Sequence, residues 1–200
     1  MGAAHLAWPP LPLNASMKSF LLRRVLPPID SIGYGLAVVA MAQTVILNLV
    51  MIYEVIVRYG FNAPTLWAND LTYMTNGTLF LFGAAWTLRM NAHVRIDFLS
   101  TLFPVRLQHF INLAFYICLF LPLIWYVGLS QGQKAWRAWV KGELEGMSAW
   151  EPVVWPFYAG ITIGIVGLGI QVVAETIRHA IGLADPEAVP RPGSGEHVQV

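Results

Sequence analysis

Charged residues are scarce in this chain of 200 residues, and the scarcity narrows the classes of protein that it can be. Only 12% of the residues are Asp, Glu, Lys or Arg, whereas a soluble domain carries about 25%. Hydrophobic residues make up 56%, which is typical of a chain whose main solvent is lipid. The net charge of +1, with no basic stripe, argues against nucleic-acid binding.

Cysteine and the usual catalytic motifs are also nearly absent. The single cysteine, Cys118, lies within an apolar run, so neither an internal disulfide nor a cysteine metal cluster is predicted. The sequence has no Ser-His-Asp arrangement, Gly-rich phosphate loop or metal-binding motif. We therefore expect no catalytic residue, cofactor or metal.

The sequence contains four long apolar stretches. None of them contains a charged residue, and they cover Ile32–Tyr53, Leu71–Leu88, Phe110–Gln133 and Pro152–Ala174. A helix rises about 1.5 Å per residue, so about 20 residues cross the roughly 30 Å hydrocarbon core. The predicted fold class is an all-α integral membrane protein, a bundle of four transmembrane helices. The expected spans are residues 32–57, 67–89, 106–130 and 152–178.

The spans define one domain with two tails. We expect the four-helix transmembrane domain over residues 18–182 and a disordered tail over 183–200, which is rich in proline and polar residues. Residues 1–17 lack a basic start and a sustained apolar run, so they predict a disordered extension rather than a cleavable signal peptide. Met17 is an alternative start site.

The distribution of lysine and arginine predicts the orientation in the membrane. Eight of the twelve lie before span 1, between spans 2 and 3, or after span 4, and four lie in the other two connections. The positive-inside rule therefore predicts that both termini and the 89–106 loop are cytoplasmic.

Prolines and polar residues predict where the helices begin and bend. Asp30 or Ser31 is expected to cap span 1. Pro122 is expected to kink span 3. Pro152 and Pro156 are expected in the first turns of span 4, where a missing N–H costs little.

Charged and aromatic residues gather at the predicted outer ends of the spans. Glu54 and Arg58 are spaced i,i+4 in the favourable order, and Asp70 is expected at the same depth. Trp67 suits the headgroup level. A Glu54–Arg58–Asp70 cluster would either lock spans 1 and 2 together or face a partner subunit.

The pattern of span 3 continues beyond its predicted end. Lys134, Arg137 and Lys141 alternate with Trp136 and Trp139, which predicts an amphipathic extension at the outer surface. Two alternatives stay open: an interfacial aromatic belt, or a docking surface for another protein.

On the inner side, Arg89, His93 and Asp97 are spaced by four, and Arg95 lies between them. We expect these residues to form ion pairs within the cytoplasmic loop and to fix its contacts with lipid or another subunit. His109 and His179 mark the inner ends of spans 3 and 4. A haem between them is conceivable, but both lie at the rim rather than inside the bundle.

The polar residues inside the spans are mostly neutral: Gln43, Thr44, Asn48, Thr75, Asn76, Thr78, Asn112, Thr162 and Gln171. Such side chains usually form hydrogen bonds between helices. No charge is predicted in mid-membrane, which argues against an autonomous pump or ion-coupled carrier. Gly160 and Gly164 form a GxxxG motif, which predicts close helix packing.

Three motifs follow one another along the chain. They read Arg58-Tyr-Gly-Phe-Asn-Ala-Pro-Thr-Leu-Trp67-Ala-Asn-Asp70, then Phe82-Gly-Ala-Ala-Trp-Thr-Leu-Arg89 with His93-Val-Arg-Ile-Asp97, then Ser148-Ala-Trp150 with Pro152 and Trp155. Together they resemble the small, DctQ-type membrane subunit of tripartite ATP-independent periplasmic (TRAP) transporters, over residues 18–182. Two departures are Asp70, where glutamate is usual, and Gly160-Ile-Thr162, where a Pro-Leu-Gly-like step is usual.

The resemblance implies a scaffold rather than an enzyme. In the family, a large membrane subunit holds the moving domain, the substrate site and the sodium sites, and a periplasmic binding protein delivers an organic acid. The implied partners are these two proteins and the lipids of a bacterial inner membrane, and the implied function is sodium-coupled uptake of an organic acid. The alternatives are a membrane anchor of a redox enzyme and a small stand-alone transporter.

Overall fold

The computed structural model describes residues 20–90 and 105–184, and every regular element within these two ranges is helical. The elements are a π-helical turn (Leu21–Val25), α1 (Leu26–Gly60), α2 (Ala68–Arg89), α3 (Val105–Phe115), a second π-helical turn (Tyr116–Phe120), α4 (Leu121–Lys141) and α5 (Trp155–Ala184). The second π-helical turn joins α3 and α4 into one rod, so the described residues form four long rods. One isolated antiparallel bridge, Leu144 with Val153, closes the connection before α5.

Helix α5 lies at the centre of the bundle. It packs against α1, α2, α3 and α4, and α1 also packs against α2. The GxxxG glycines face α2: a Cβ on Gly160 would lie 2.6 Å from Thr78 Cγ2, and one on Gly164 would lie 2.7 Å from Leu81 Cβ. The motif therefore brings two helices of this chain together, with no room for a side chain.

Within the described ranges 20–90 and 105–184, three helices are long and apolar enough to cross a membrane: Leu21–Gly60, Leu107–Lys141 and Trp155–Leu183. The all-helical architecture is thus confirmed. Helix α2 has 22 residues, roughly 33 Å at the usual helical rise, but its threonines and asparagines lower its hydropathy. The fourth crossing and the orientation of the termini stay predictions.

The predicted cap of span 1 is wrong. Helical geometry is already present at Leu26, and Pro27 and Pro28 occupy the first turn, where no N–H needs an acceptor. Asp30 lies inside the helix, and the hydroxyl of Ser31 donates to the carbonyl of Pro27 at 2.9 Å. The carboxylate of Asp30 is therefore free for contacts between helices.

The third rod includes the extension expected beyond span 3, and the last helix begins later than expected. The rod continues to Lys141, and Gly142 ends it in the left-handed conformation at φ 61°. The π-helical turn stands directly before Pro122, where a wider turn accommodates the missing N–H. Helix α5 begins at Trp155, so Pro156 lies in its first turn, but Pro152 precedes the helix and accepts a hydrogen bond from Glu145 N at 2.9 Å.

Some predictions concern residues that the structure does not describe. The N-terminal extension (1–17), the tail beyond Ala184 and the loop residues His93, Arg95 and Asp97 all lie outside the described residues. Helix α5 extends two residues into the predicted tail.

Candidate functional site

Polar side chains form separate clusters at the two ends of the bundle. The Glu54 end comprises the end of α1, the start of α2, the end of α4 and the start of α5. The Asp30 end is at the opposite side of the bundle and comprises the start of α1, the end of α2, the start of α3 and the end of α5.

Glu54 fastens the segment between α1 and α2 to the end of α1. Its buried carboxylate accepts hydrogen bonds from Arg58 Nε at 2.8 Å and Arg58 Nη2 at 2.6 Å. It also accepts from the backbone N–H of Thr65 at 3.3 Å and from the Thr65 hydroxyl. The structure thus contains the expected i,i+4 pair, and adds a contact that fixes the path of the chain after the left-handed residue Asn62.

Asp70 does not join the Glu54–Arg58 pair. Its carboxylate accepts a hydrogen bond from the hydroxyl of Ser148, in the connection between α4 and α5. The expected three-residue cluster is therefore divided into two contacts. Trp67, directly before α2, stacks on Tyr53 of α1 with ring centroids 5.9 Å apart. Glu54, Trp67 and Asp70 each join neighbouring segments, whereas the hydrogen bonds of Arg58 lie within α1.

The three cations of α4 are placed differently. Lys134, Arg137 and Lys141 are exposed, and no ion pair to them exists within residues 20–90 and 105–184. Trp139 packs edge-on against Trp155 at the start of α5, with centroids 4.6 Å apart, while Trp136 is 69% exposed. The end of α4 therefore presents free positive charge and aromatic surface.

A buried ionic cluster at the Asp30 end joins three helices. Arg178 Nη2, on α5, donates hydrogen bonds to both carboxylate oxygens of Asp30 on α1, at 2.8 Å to Oδ1 and 2.6 Å to Oδ2. Arg89 of α2 approaches the same carboxylate, with Nε 3.0 Å from Oδ2. Glu175 accepts from Arg178, and Gln171 donates to Asp30 at 3.2 Å. Two carboxylates and two guanidinium groups make the cluster neutral.

Of the four residues predicted to act in the cytoplasmic loop, Arg89 is described by the structure, whereas His93, Arg95 and Asp97 are not. Arg89 approaches Asp30 and also lies over the Trp86 ring, with its guanidinium carbon 5.0 Å from the ring centroid. The Trp86 ring packs edge-on against Tyr34 of α1, with centroids 5.3 Å apart. Arg89 therefore contributes to the contact between α1 and α2, whereas its expected role in the following loop involves residues outside the description.

Sequence reasoning missed this cluster because it treated Asp30 as a helix cap. The spacing of Gln171, Glu175 and Arg178 by four and three residues places them on one face of a helix. Acidic and basic residues on a face that otherwise reads apolar indicate a buried partner, and Asp30 is an acidic residue predicted at the same end. That signal was available in the sequence.

The two histidines lie in contact with each other. His109 of α3 and His179 of α5 are buried, and their Nδ1 atoms are 2.9 Å apart, so one ring donates to the other. Tyr116 stacks on the His179 ring with centroids 5.5 Å apart. This contact joins the third rod to α5. In the described part of the chain, no three His, Cys, Asp or Glu side chains lie close enough together to hold a metal ion.

Known proteins resemble this chain along much of its length. The family model described as the DctQ component of tripartite ATP-independent periplasmic transporters matches residues 47–182. The sialic acid TRAP transporter permease protein SiaT of Haemophilus influenzae (strain 86-028NP) is 29% identical over 76 residues, which cover 36% of this chain and 12% of that protein. The alignment thus spans a small part of that relative's length. No solved structure matches the chain.

Proposed function

This chain belongs to the family of DctQ components of tripartite ATP-independent periplasmic transporters, and from that premise we propose that it is the rigid scaffold of such a transporter. In this proposal it supports a large membrane subunit in a bacterial inner membrane. The large subunit performs sodium-coupled uptake of an organic acid that a periplasmic binding protein delivers. The family match over residues 47–182 carries the proposal.

The contacts within the bundle support a scaffold rather than a moving carrier. Polar contacts hold the helices together at both ends, through Glu54, Asp70 and Ser148 at one end and Asp30 and Arg178 at the other. Between these ends, the glycines of α5 bring it close to α2. A bundle fixed at both ends and packed closely between them resists the large rearrangement that alternating access needs.

The proposed topology has four crossings, with the Asp30 end in the cytoplasm and the Glu54 end in the periplasm. The excess of lysine and arginine in the connections at the Asp30 end supports this orientation. The three exposed cations of α4 then face the periplasm, where we propose that Lys134, Arg137 and Lys141 contribute to docking of the binding protein. Arg58, Trp67 and Asp70 shape the neighbouring surface.

A pull-down of the full chain, tagged at its C-terminus, from its native membrane in mild detergent tests the proposal. We expect a large multi-span membrane protein of the TRAP type to accompany it, as identified by mass spectrometry. A haem- or flavin-bearing partner would instead indicate a redox anchor. Recovery of the chain alone, together with solute movement after reconstitution, would indicate a stand-alone transporter. Either of these results contradicts the scaffold proposal.

A further inference from the structure

Two asparagines lie at the same level of the bundle, on α1 and α2. Gln43 donates to Thr78 at 3.2 Å, and the Thr72 hydroxyl approaches Met51 Sδ at 3.4 Å. These two contacts set the antiparallel register of the helices. Asn48 on α1 and Asn76 on α2 both lie between these two contacts. They are level with the middle of α2 and far from either end of the bundle.

The same contacts place both asparagines on one edge of the helix pair. Asn48 precedes Met51 by three residues, and Asn76 follows Thr72 by four, and residues with these spacings share a helix face. Because Met51 and Thr72 touch each other, the two asparagines lie one turn further along the same edge. We call Asn48 and Asn76 the amide edge.

No other helix within residues 20–90 and 105–184 covers the amide edge. Both asparagines are exposed. Helix α5 packs on a different face of α2, where a Cβ on Gly77 would lie 3.0 Å from Phe157 Cε2. Phe80, one turn after Asn76, is 73% exposed.

The side-chain amides of Asn48 and Asn76 also make few hydrogen bonds in the described part of the chain. Each carries two N–H donors and a carbonyl acceptor. Asn48 Nδ2 donates to the carbonyl of Thr44 at 2.8 Å, which uses one donor. Within residues 20–90 and 105–184, the structure shows no other hydrogen bond to the side chain of Asn48 and none to the side chain of Asn76. Lipid tails cannot supply partners, and the short asparagine side chain cannot reach the headgroups from this depth.

We propose that the large membrane subunit docks on the amide edge, through a transmembrane helix that offers hydrogen-bonding side chains to Asn48 and Asn76. This inference rests on the proposed function and names the surface that it requires. The H. influenzae permease protein supports the choice of occupant, because the matched segment makes up only 12% of that protein. In that relative, the counterpart of this chain is therefore joined to a much larger polypeptide.

Two amides on different helices fix the partner more firmly than one. A helix that contacts both must cross the groove between α1 and α2 at one depth and one rotation. Polar side chains at matched depth are the means by which membrane helices choose partners when the surrounding lipid is as apolar as the helices themselves. The amide edge thus provides the specificity that the apolar surface of α1 lacks.

The experiment uses the full chain co-expressed with the other components of its transporter. The double variant Asn48→Leu/Asn76→Leu should lower recovery of the large subunit about tenfold, as expected for two lost interhelical hydrogen bonds. Asn112→Leu makes the same chemical change on α3, away from the amide edge, and should leave recovery unchanged. The double variant, purified alone, should unfold at the same temperature as the wild type or higher, which separates lost docking from misfolding.

A photo-crosslinking residue at position 48 or 76 identifies the occupant directly, with position 126 on α4 as the control. Adducts with the large subunit from 48 and 76, but not from 126, are expected. If the wild type recovers the large subunit while 48 and 76 give only lipid adducts or adducts between two copies of this chain, the amide edge is refuted and the scaffold proposal stands. If the wild type recovers no large subunit, both fail.

Discussion

Replacing Asp30 with asparagine removes one charge from a buried cluster in which two guanidinium groups share its carboxylate. Arg178 Nη2 lies 2.6 and 2.8 Å from the two oxygens, and Arg89 Nε lies 3.0 Å from one of them. The side chains of Asp30 and Arg178 are only 9% and 11% exposed. Asp30→Asn keeps the shape of the side chain but leaves net positive charge in a site with little access to water.

The expected loss of stability depends on the partners that Arg178 keeps in the Asp30→Asn variant. Removing one member of a buried ion pair costs about 3–5 kcal/mol, because the other charge stays buried and unpaired. Glu175 still contacts Arg178 in the variant, so its guanidinium is not left alone. We therefore expect a loss of about 3 kcal/mol in the free energy of unfolding, at the lower end of that range.

The assay is reversible unfolding of the purified chain in mixed detergent micelles, followed by the fluorescence of its eight tryptophans. Glu145→Gln, in the connection between α4 and α5, is the control and should change stability by less than about 0.5 kcal/mol. The double variant Asp30→Asn/Arg178→Gln should lose less than the sum of the two single variants. A loss below about 0.5 kcal/mol for Asp30→Asn, or strict additivity, would refute the cluster as a link between α1, α2 and α5.

Two further substitutions test other contacts. A Cβ on Gly182 would lie 2.5 Å from the His109 ring, so Gly182→Ala should cost about 1–3 kcal/mol in the same assay. Gly83→Ala, with no atom within 4 Å, should stabilise or be neutral, and equal effects at both positions would contradict the packing of α3 against α5. Glu54→Gln should cost less than about 1 kcal/mol, because the Arg58 side chain is 41% exposed. It should nevertheless speed proteolysis between α1 and α2, and an unchanged cleavage rate would count against Glu54 as the anchor of that segment.

The number and type of helices were predictable, because apolar length and breakers are local properties of a sequence. The Gly160–Gly164 motif is an example, because its spacing predicts the close packing that the structure shows. Even here the limits shifted, since the π-helical turn before Pro122 and the exclusion of Pro152 from α5 depend on how each turn is completed.

The polar contacts were harder to predict, because each depends on which helices become neighbours. The Glu54–Arg58 pair follows from a local i,i+4 spacing and was predicted correctly. Asp70 instead accepts a hydrogen bond from Ser148, which is 78 residues away in the sequence. Asp30 and Arg178 are 148 residues apart in the sequence. A one-dimensional pattern identifies such residues as out of place in an apolar helix, but packing alone decides their partners.

The position of α5 explains how these separate contacts act together. Within residues 20–90 and 105–184 it packs against all three other rods, and its side chains meet Asp30 of α1 through Arg178 and the third rod through His179. At the opposite end, the connection that leads into it reaches α2 through Ser148 and Asp70. A displacement of α5 would therefore break polar contacts at both ends of the bundle at once. These shared contacts are the physical reason for which we propose a fixed role for this chain.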